Sequence, residues 1–113
     1  MTSTKKPLVS VHIITYNQIQ YIRQAIDSVL NQKVNFNYEI IIGDDCSTDG
    51  TKEIIEYYAN QYNDKIFPVY NNINKGFLEN WKQTYLQCKG KYIAFLEGDD
   101  FWTDEYKLQK QVD

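Results

Sequence analysis

Short apolar runs rich in β-branched residues alternate along this chain with stretches whose apolar residues recur at helical spacing. The apolar runs are Leu8–Ile14, Tyr38–Ile42, Ile66–Tyr70 and Tyr92–Leu96. Helical spacing covers Ile19–Leu30, Thr51–Tyr62 and Phe77–Cys88, and a fourth helix is expected over Thr103–Asp113 with Thr103 as its cap. Such alternation predicts an α/β domain built on an open, mainly parallel, Rossmann-like sheet in the order β-α-β-α-β-α-β-α, with right-handed crossovers and helices on both faces. Pro68 cannot donate to a ladder, so its strand is expected at an edge. Ala94-Phe95-Leu96 lacks polar alternation and reads as strand buried on both faces. Ile54, Ile55, Tyr58 and Tyr62 are expected to face inward from the second helix. From the third, Phe77, Leu78, Trp81, Tyr85 and Cys88 are, with Gly90 near the C′ position.

In a parallel sheet every carboxyl end lies at one edge, and ligands gather there, near the switch in strand order. Three unusual stretches fall at that edge: Thr15-Tyr16-Asn17, Gly43-Asp44-Asp45 and Glu97-Gly98-Asp99-Asp100. The last sets three carboxylates in four residues. Two like charges about 4 Å apart at an effective dielectric of about 20 cost roughly 4 kcal/mol. A hard divalent cation shared with phosphate and water relieves that repulsion. A solvated acidic turn is the plainer alternative for one Asp-Asp pair, and the second acidic strand end favours a metal–nucleotide site. Gly98 is expected to turn the backbone sharply or to let it approach a ligand closely.

Composition narrows the classes. With 113 residues and 42% hydrophobic content the chain has one packed core, with residues 1–7 as a polar tail and 8–113 as the domain. Twelve basic residues against 15 acidic ones, a net charge of −3, argue against nucleic acid as a partner. Cys46 and Cys88 are isolated and His12 stands alone, which excludes structural zinc and suits a reducing cytoplasm. No apolar run reaches membrane-spanning length and no leader-like stretch is visible. The glycine-rich dinucleotide fingerprint and the Walker-type Gly-Lys-Ser/Thr loop are both missing. His12 lies in mid-strand and is read as packing, which removes Ser-His-Asp catalysis.

Four stretches together carry a family resemblance: Pro7-Leu8-Val9-Ser10-Val11, Thr15-Tyr16-Asn17, Asp44 through Thr51, and Tyr92 through Trp102. In this order and at this spacing they resemble the nucleotide-binding half of a family 2 glycosyltransferase. The resemblance implies the GT-A fold and inverting transfer of a sugar from a nucleotide-sugar, a UDP-sugar, to an acceptor hydroxyl. It further implies bacterial polysaccharide or cell-surface glycan synthesis, with a glycan or lipid-linked acceptor. The protein is expected in the cytoplasm, peripheral at the inner face of the membrane.

By the same resemblance, Thr15, Tyr16 and Asn17 form a turn in which Tyr16 lies against the nucleobase. Asp45 accepts a ring N–H of the base and Asp44 supports its loop; helix capping across Ser47–Gly50 is the alternative for this pair. Lys75 is a donor contact or a solvated loop lysine. Asp99 reaches the ribose, and Asp100 ligates Mn²⁺ or Mg²⁺ bridging the phosphates. Glu97 takes the first acidic place of the Asp-x-Asp signature, as direct ligand, water-mediated ligand or neither. Trp102 is read as packing. The general base expected of the family is a carboxylate downstream of Asp113, so no catalytic residue is assigned in this chain. The chain is accordingly expected to be a truncated piece of a longer enzyme, and an exposed sheet edge is expected to favour homo-oligomers. A non-catalytic nucleotide-binding or protein-interaction module is the alternative.

Overall fold

A computed structural model describes residues 6–113; most of the polar tail, residues 1–5, lies outside the described residues. The elements are β1 (Val9–Thr15), α1 (Ile22–Leu30), β2 (Tyr38–Asp44), α2 (Thr51–Gln61), β3 (Ile66–Tyr70), α3 (Phe77–Tyr85), β4 (Tyr92–Glu97) and α4 (Lys107–Val112). The strands form one all-parallel sheet in the order β3-β2-β1-β4. This is the α/β, Rossmann-like arrangement predicted above, with Pro68 in an edge strand.

Every residue of β1 and β2 is buried, because both strands have neighbours on either side and helices on both faces. Val9, Val11 and Ile13 of β1 join Ile40 and Ile42 of β2, Ile22, Ile26 and Val29 of α1, Ile55 of α2 and Leu108 of α4 in one apolar core. Fully burying each such side chain contributes about 1.5–3 kcal/mol. His12 points to the opposite face and is fully buried among aromatic rings, with centroids of Trp81 and Phe95 at 5.2 Å and Tyr85 at 6.2 Å. It packs, as its sequence position suggested.

Helix α3 departs from the apolar-periodicity expectation. Its buried residues are Asn80 and Thr84, while Phe77, Leu78 and Tyr85 are exposed. The cause lies in β2: a Cβ on Gly43 would stand 2.0 Å from Thr84 Oγ1, so the helix seats a small polar face on a bare backbone. Asn80 Nδ2 donates to the Gly43 carbonyl at 3.0 Å. Trp81 is half-buried and stacks on Tyr85 with centroids 5.0 Å apart. The helix ends at Tyr85 rather than Cys88. Gly90 is not its C′ residue; it lies against β1, where a Cβ would meet Ser10 N at 2.5 Å.

Strand β4 is a second correction. Only Leu96 among its residues is buried, and Tyr92, Ile93 and Phe95 are exposed. Ile93 and Phe95 pair with Ser10 and His12 on the face that α3 covers, but α3 sits over β1 and β2. Smaller corrections occur at helix ends. Helix α1 begins at Ile22, and Ile19 is in the preceding turn. Tyr62 is exposed just after α2. Thr103 caps nothing; Asp104 Oδ1 accepts the Tyr106 amide instead, and α4 starts at Lys107. Trp102 packs against the core as expected.

Candidate functional site

The parallel register sets three strand ends side by side. Thr15 pairs with Asp44, and Ile14 with Glu97. Beyond the strands the ladder continues: Asp45 N donates to Thr15 O at 3.0 Å and Gly98 N to Ile14 O at 2.9 Å. The β1 terminus therefore binds both acidic stretches directly. A Cβ on Gly98 would stand 2.7 Å from Thr15 Cβ and 2.5 Å from Gln18 Oε1. Its need is for close approach to a protein neighbour, not for a left-handed turn or a ligand, since its φ is not positive. The turn itself closes through Asp100 N on Glu97 O at 3.0 Å.

Asp45 is 3% exposed, and its carboxylate organises the loop before α3. Oδ1 accepts the Lys75 amide at 2.8 Å and Asn71 Nδ2 at 2.9 Å, and Oδ2 accepts the Gly76 amide at 2.9 Å. A carboxylate has about four acceptor positions, so roughly one remains for a ligand. Asn71 Nδ2 also donates to Asn80 Oδ1 at 3.1 Å, and Gln83 Nε2 donates to Asn71 Oδ1 at 2.6 Å. These amides tie the Asp45 loop to α3.

Asp44, 1% exposed, accepts the hydroxyl and amide of Ser47. Burial pushes its carboxyl above the usual carboxylate range, with the Ser47 hydrogen bonds opposing. Asn17, at φ 50°, bridges the two loops: its amide donates to Ser47 Oγ at 2.9 Å, and its Oδ1 accepts Thr48 N at 2.8 Å. The N-cap of α2 is Gly50, which has no side-chain cap; just before it Asp49 Oδ1 accepts Thr51 N at 3.0 Å, so Asp44 is not needed at the helix start. Asp44 and Asn17 thus shape the loops around the cleft.

A cleft of about 280 Å³ opens at this edge. Of the residues singled out in the sequence, Thr15, Tyr16, Asp45 and Glu97 line it; Asn17, Asp44, Lys75, Asp99 and Asp100 do not. Gln18, Asn74, Phe77 and Asn80 also line it and were missed. The i, i+4 polar pair Asn80 and Thr84 was the available signal for α3. Thr15 Oγ1 donates to Gln18 Oε1 at 2.7 Å, while Tyr16 is 47% exposed. The Lys75 side chain turns away, donating to Gln83 Oε1 at 2.7 Å.

Glu97, Asp99 and Asp100 are exposed, and none forms an ion pair among the described residues. No group of three or more His, Cys, Asp or Glu side chains poised to hold a metal occurs among the described residues. The donor set is hard carboxylate oxygen with no cation of its own. That fits a divalent ion held by one or two carboxylates and completed by phosphate and water, and does not fit an all-protein cage.

Residues 10–113 match the family described as Glycosyl transferase family 2. An uncharacterized protein of Mycobacterium tuberculosis is 45% identical over 103 residues, 91% of this chain and 30% of its own length. A Bacillus subtilis protein named provisionally as the teichuronic acid biosynthesis glycosyltransferase TuaG is 41% identical over 108 residues, 96% of this chain and 42% of its own. The crystal structure of S. aureus TarS in complex with UDP has a TM-score of 0.80 at 28% identity, covering 96% of this chain and 31% of that one. The mannosyltransferase PcManGT of Pyrobaculum calidifontis, in complex with GDP-Man and Mn²⁺, has a TM-score of 0.83 at 23% identity and bears on the fold alone. The chain spans between 30% and 42% of the length of the two sequence relatives. Since the matched residues take in all three strand ends that build the cleft, the chain belongs to glycosyl transferase family 2.

Proposed function

We propose that this chain is the donor-binding region of a glycosyltransferase that moves a sugar from a nucleotide-sugar, a UDP-sugar, to an acceptor hydroxyl with inversion and with Mn²⁺ or Mg²⁺. The observation that carries the reading is the single cleft that joins the exposed Tyr16 ring, the buried Asp45 carboxylate and the Glu97 strand end. Tyr16 offers a stacking face to the base, a contact of about 1–3 kcal/mol. Asp45 accepts a base N–H with the lone pair its loop leaves free. Asp99 takes the ribose hydroxyls. Glu97 and Asp100 hold the cation, which when bound supplies Lewis-acid neutralisation of the departing diphosphate. Asn17 acts by holding the two loops together through Ser47 and Thr48, Thr15 and Asp44 each fix their own loop through Gln18 and Ser47, and Lys75 acts through its backbone amide on Asp45.

The general base is assigned to a carboxylate downstream of Asp113, and no residue of this chain takes that role. The name of the B. subtilis relative, a teichuronic acid biosynthesis glycosyltransferase, supports a role in polysaccharide synthesis. To that role we assign a glycan or lipid-linked acceptor, cell-surface glycan as the product and the cytoplasmic face of the membrane as the place. Exposed Tyr92, Ile93 and Phe95 on the outer strand β4 support association between copies. Thermal melting with millimolar UDP and Mn²⁺ tests the central reading. A raised melting temperature is expected, because a ligand that binds only the folded chain stabilises it. An unchanged melting temperature overturns it.

A further inference from the structure

Phe77 is the first residue of α3 and is 59% exposed, although it stands in the wall of the cleft. It takes no part in the apolar core, since α3 seats Asn80 and Thr84 on the sheet instead. Its place is nonetheless fixed. Gly76 before it adopts φ 89°, and the Gly76 amide is held on Asp45 Oδ2 at 2.9 Å. The same carboxylate that faces the cleft therefore sets where the Phe77 ring begins.

Tyr16 reaches the cleft from the loop after β1, whereas Phe77 reaches it from the start of α3. Neither ring enters an aromatic pair or lies under a cation among the described residues, so each has a face to offer. Two unpaired aromatic rings lining one cleft with a buried acceptor suit a flat heterocycle that carries an N–H donor.

We propose that Phe77 is a second stacking wall of this cleft, so that the base of a nucleoside diphosphate is held between Tyr16 and Phe77 with its ring N–H on Asp45. The inference rests on the donor-binding reading above and adds a ligand-contacting residue to it. Every base has a π-face, so Phe77 strengthens nucleotide binding without choosing among bases; the choice stays with Asp45. Phe77 lies on the base, away from the phosphates, and its loss is therefore confined to ligands that carry a base.

Isothermal titration of the whole chain with UDP in the presence of Mn²⁺ tests this, with inorganic pyrophosphate and Mn²⁺ as the base-free probe. Phe77→Ala is expected to weaken UDP about 5- to 150-fold, the span of base–aromatic stacking, and to leave pyrophosphate affinity unchanged. Phe77→Tyr keeps the ring and is expected to bind UDP as the native chain does. Because Phe77 is not in the core, the ligand-free melting temperature of both variants should match the native one. Equal UDP affinity of Phe77→Ala and the native chain overturns the role of Phe77 and leaves the donor site standing. An equal loss for pyrophosphate also overturns it, since the effect is then not stacking. A native chain that does not bind UDP overturns both readings.

Discussion

Asp45 and Lys75 are joined across 30 positions of sequence by one hydrogen bond, from the Lys75 amide to Asp45 Oδ1 at 2.8 Å. The sequence leaves Lys75 as a donor contact or a solvated loop lysine, and the fold gives its backbone amide a place on Asp45. With the Gly76 amide and the Asn71 side chain on the same carboxylate, this bond makes Asp45 both the acceptor in the cleft and the anchor of the wall beside it. Binding and architecture are coupled at one residue.

Asp45→Ala is therefore expected to lose both. Hydrogen bonds to a charged group contribute about 1.5–3 kcal/mol, and donors left unpaired in a buried place add to the loss. A destabilisation of about 3 kcal/mol in urea denaturation is expected, together with loss of the UDP-induced thermal shift. A variant as stable as the native chain would show that the loop does not depend on this carboxylate.

Gly98→Ala tests the closeness of β1 and β4. The new methyl meets Thr15 Cβ at 2.7 Å, a neighbour fixed in a buried strand, so the strand ends must part. Overpacking of this kind costs about 1–3 kcal/mol. The expected outcome is a loss of that size in urea denaturation and weaker UDP binding, since Glu97 moves with Gly98. Gly76→Ala, where a Cβ would meet nothing within 4 Å, serves as a contrast that probes φ strain alone.

What the sequence made legible was set by the sheet. The apolar runs around Val11, Ile13, Ile40 and Ile42 could only be buried strands, and parallel order then forced Thr15, Asp44 and Glu97 to one edge. The face of α3 was not legible, because apolar spacing carries no information about Gly43, the missing side chain that draws Asn80 and Thr84 inward. The exposure of Phe95 was hidden for a related reason: an apolar strand is buried only as far as its neighbours reach. The Asn71–Asn80–Gln83 amides have no periodic signature, and only the folded loop shows that they converge on Asp45.

Asp100→Ala isolates the cation. Asp100 is exposed and forms no ion pair among the described residues, so its removal should change stability by no more than about 0.5 kcal/mol. The expected result is a UDP thermal shift that no longer responds to added Mn²⁺. A large drop in the ligand-free melting temperature would make the carboxylate structural.

His12 gives the fold a pH dependence of its own. The ring is fully buried, neither nitrogen has a hydrogen-bond partner within bonding geometry among the described residues, and burial, outweighing the raising influence of the Trp81 backbone, holds its pKa down to about 4 from 6.5. The unfolded chain protonates His12 first as pH falls, so between about 6.5 and 4 the unfolded state binds more protons and stability declines. Above that window both states are neutral at this residue, and below it both are charged, so the effect is flat on either side. A shift of this size corresponds to about 3 kcal/mol across the window. Asp44, whose pKa is raised by burial, runs the other way as acid neutralises it, so total stability alone is not diagnostic. Subtracting the urea-denaturation profile of His12→Leu from that of the native chain cancels Asp44 and any constant packing difference. The remaining curve should fall by about 3 kcal/mol from neutral pH to pH 4; a level curve would mean that His12 is solvated or paired in solution.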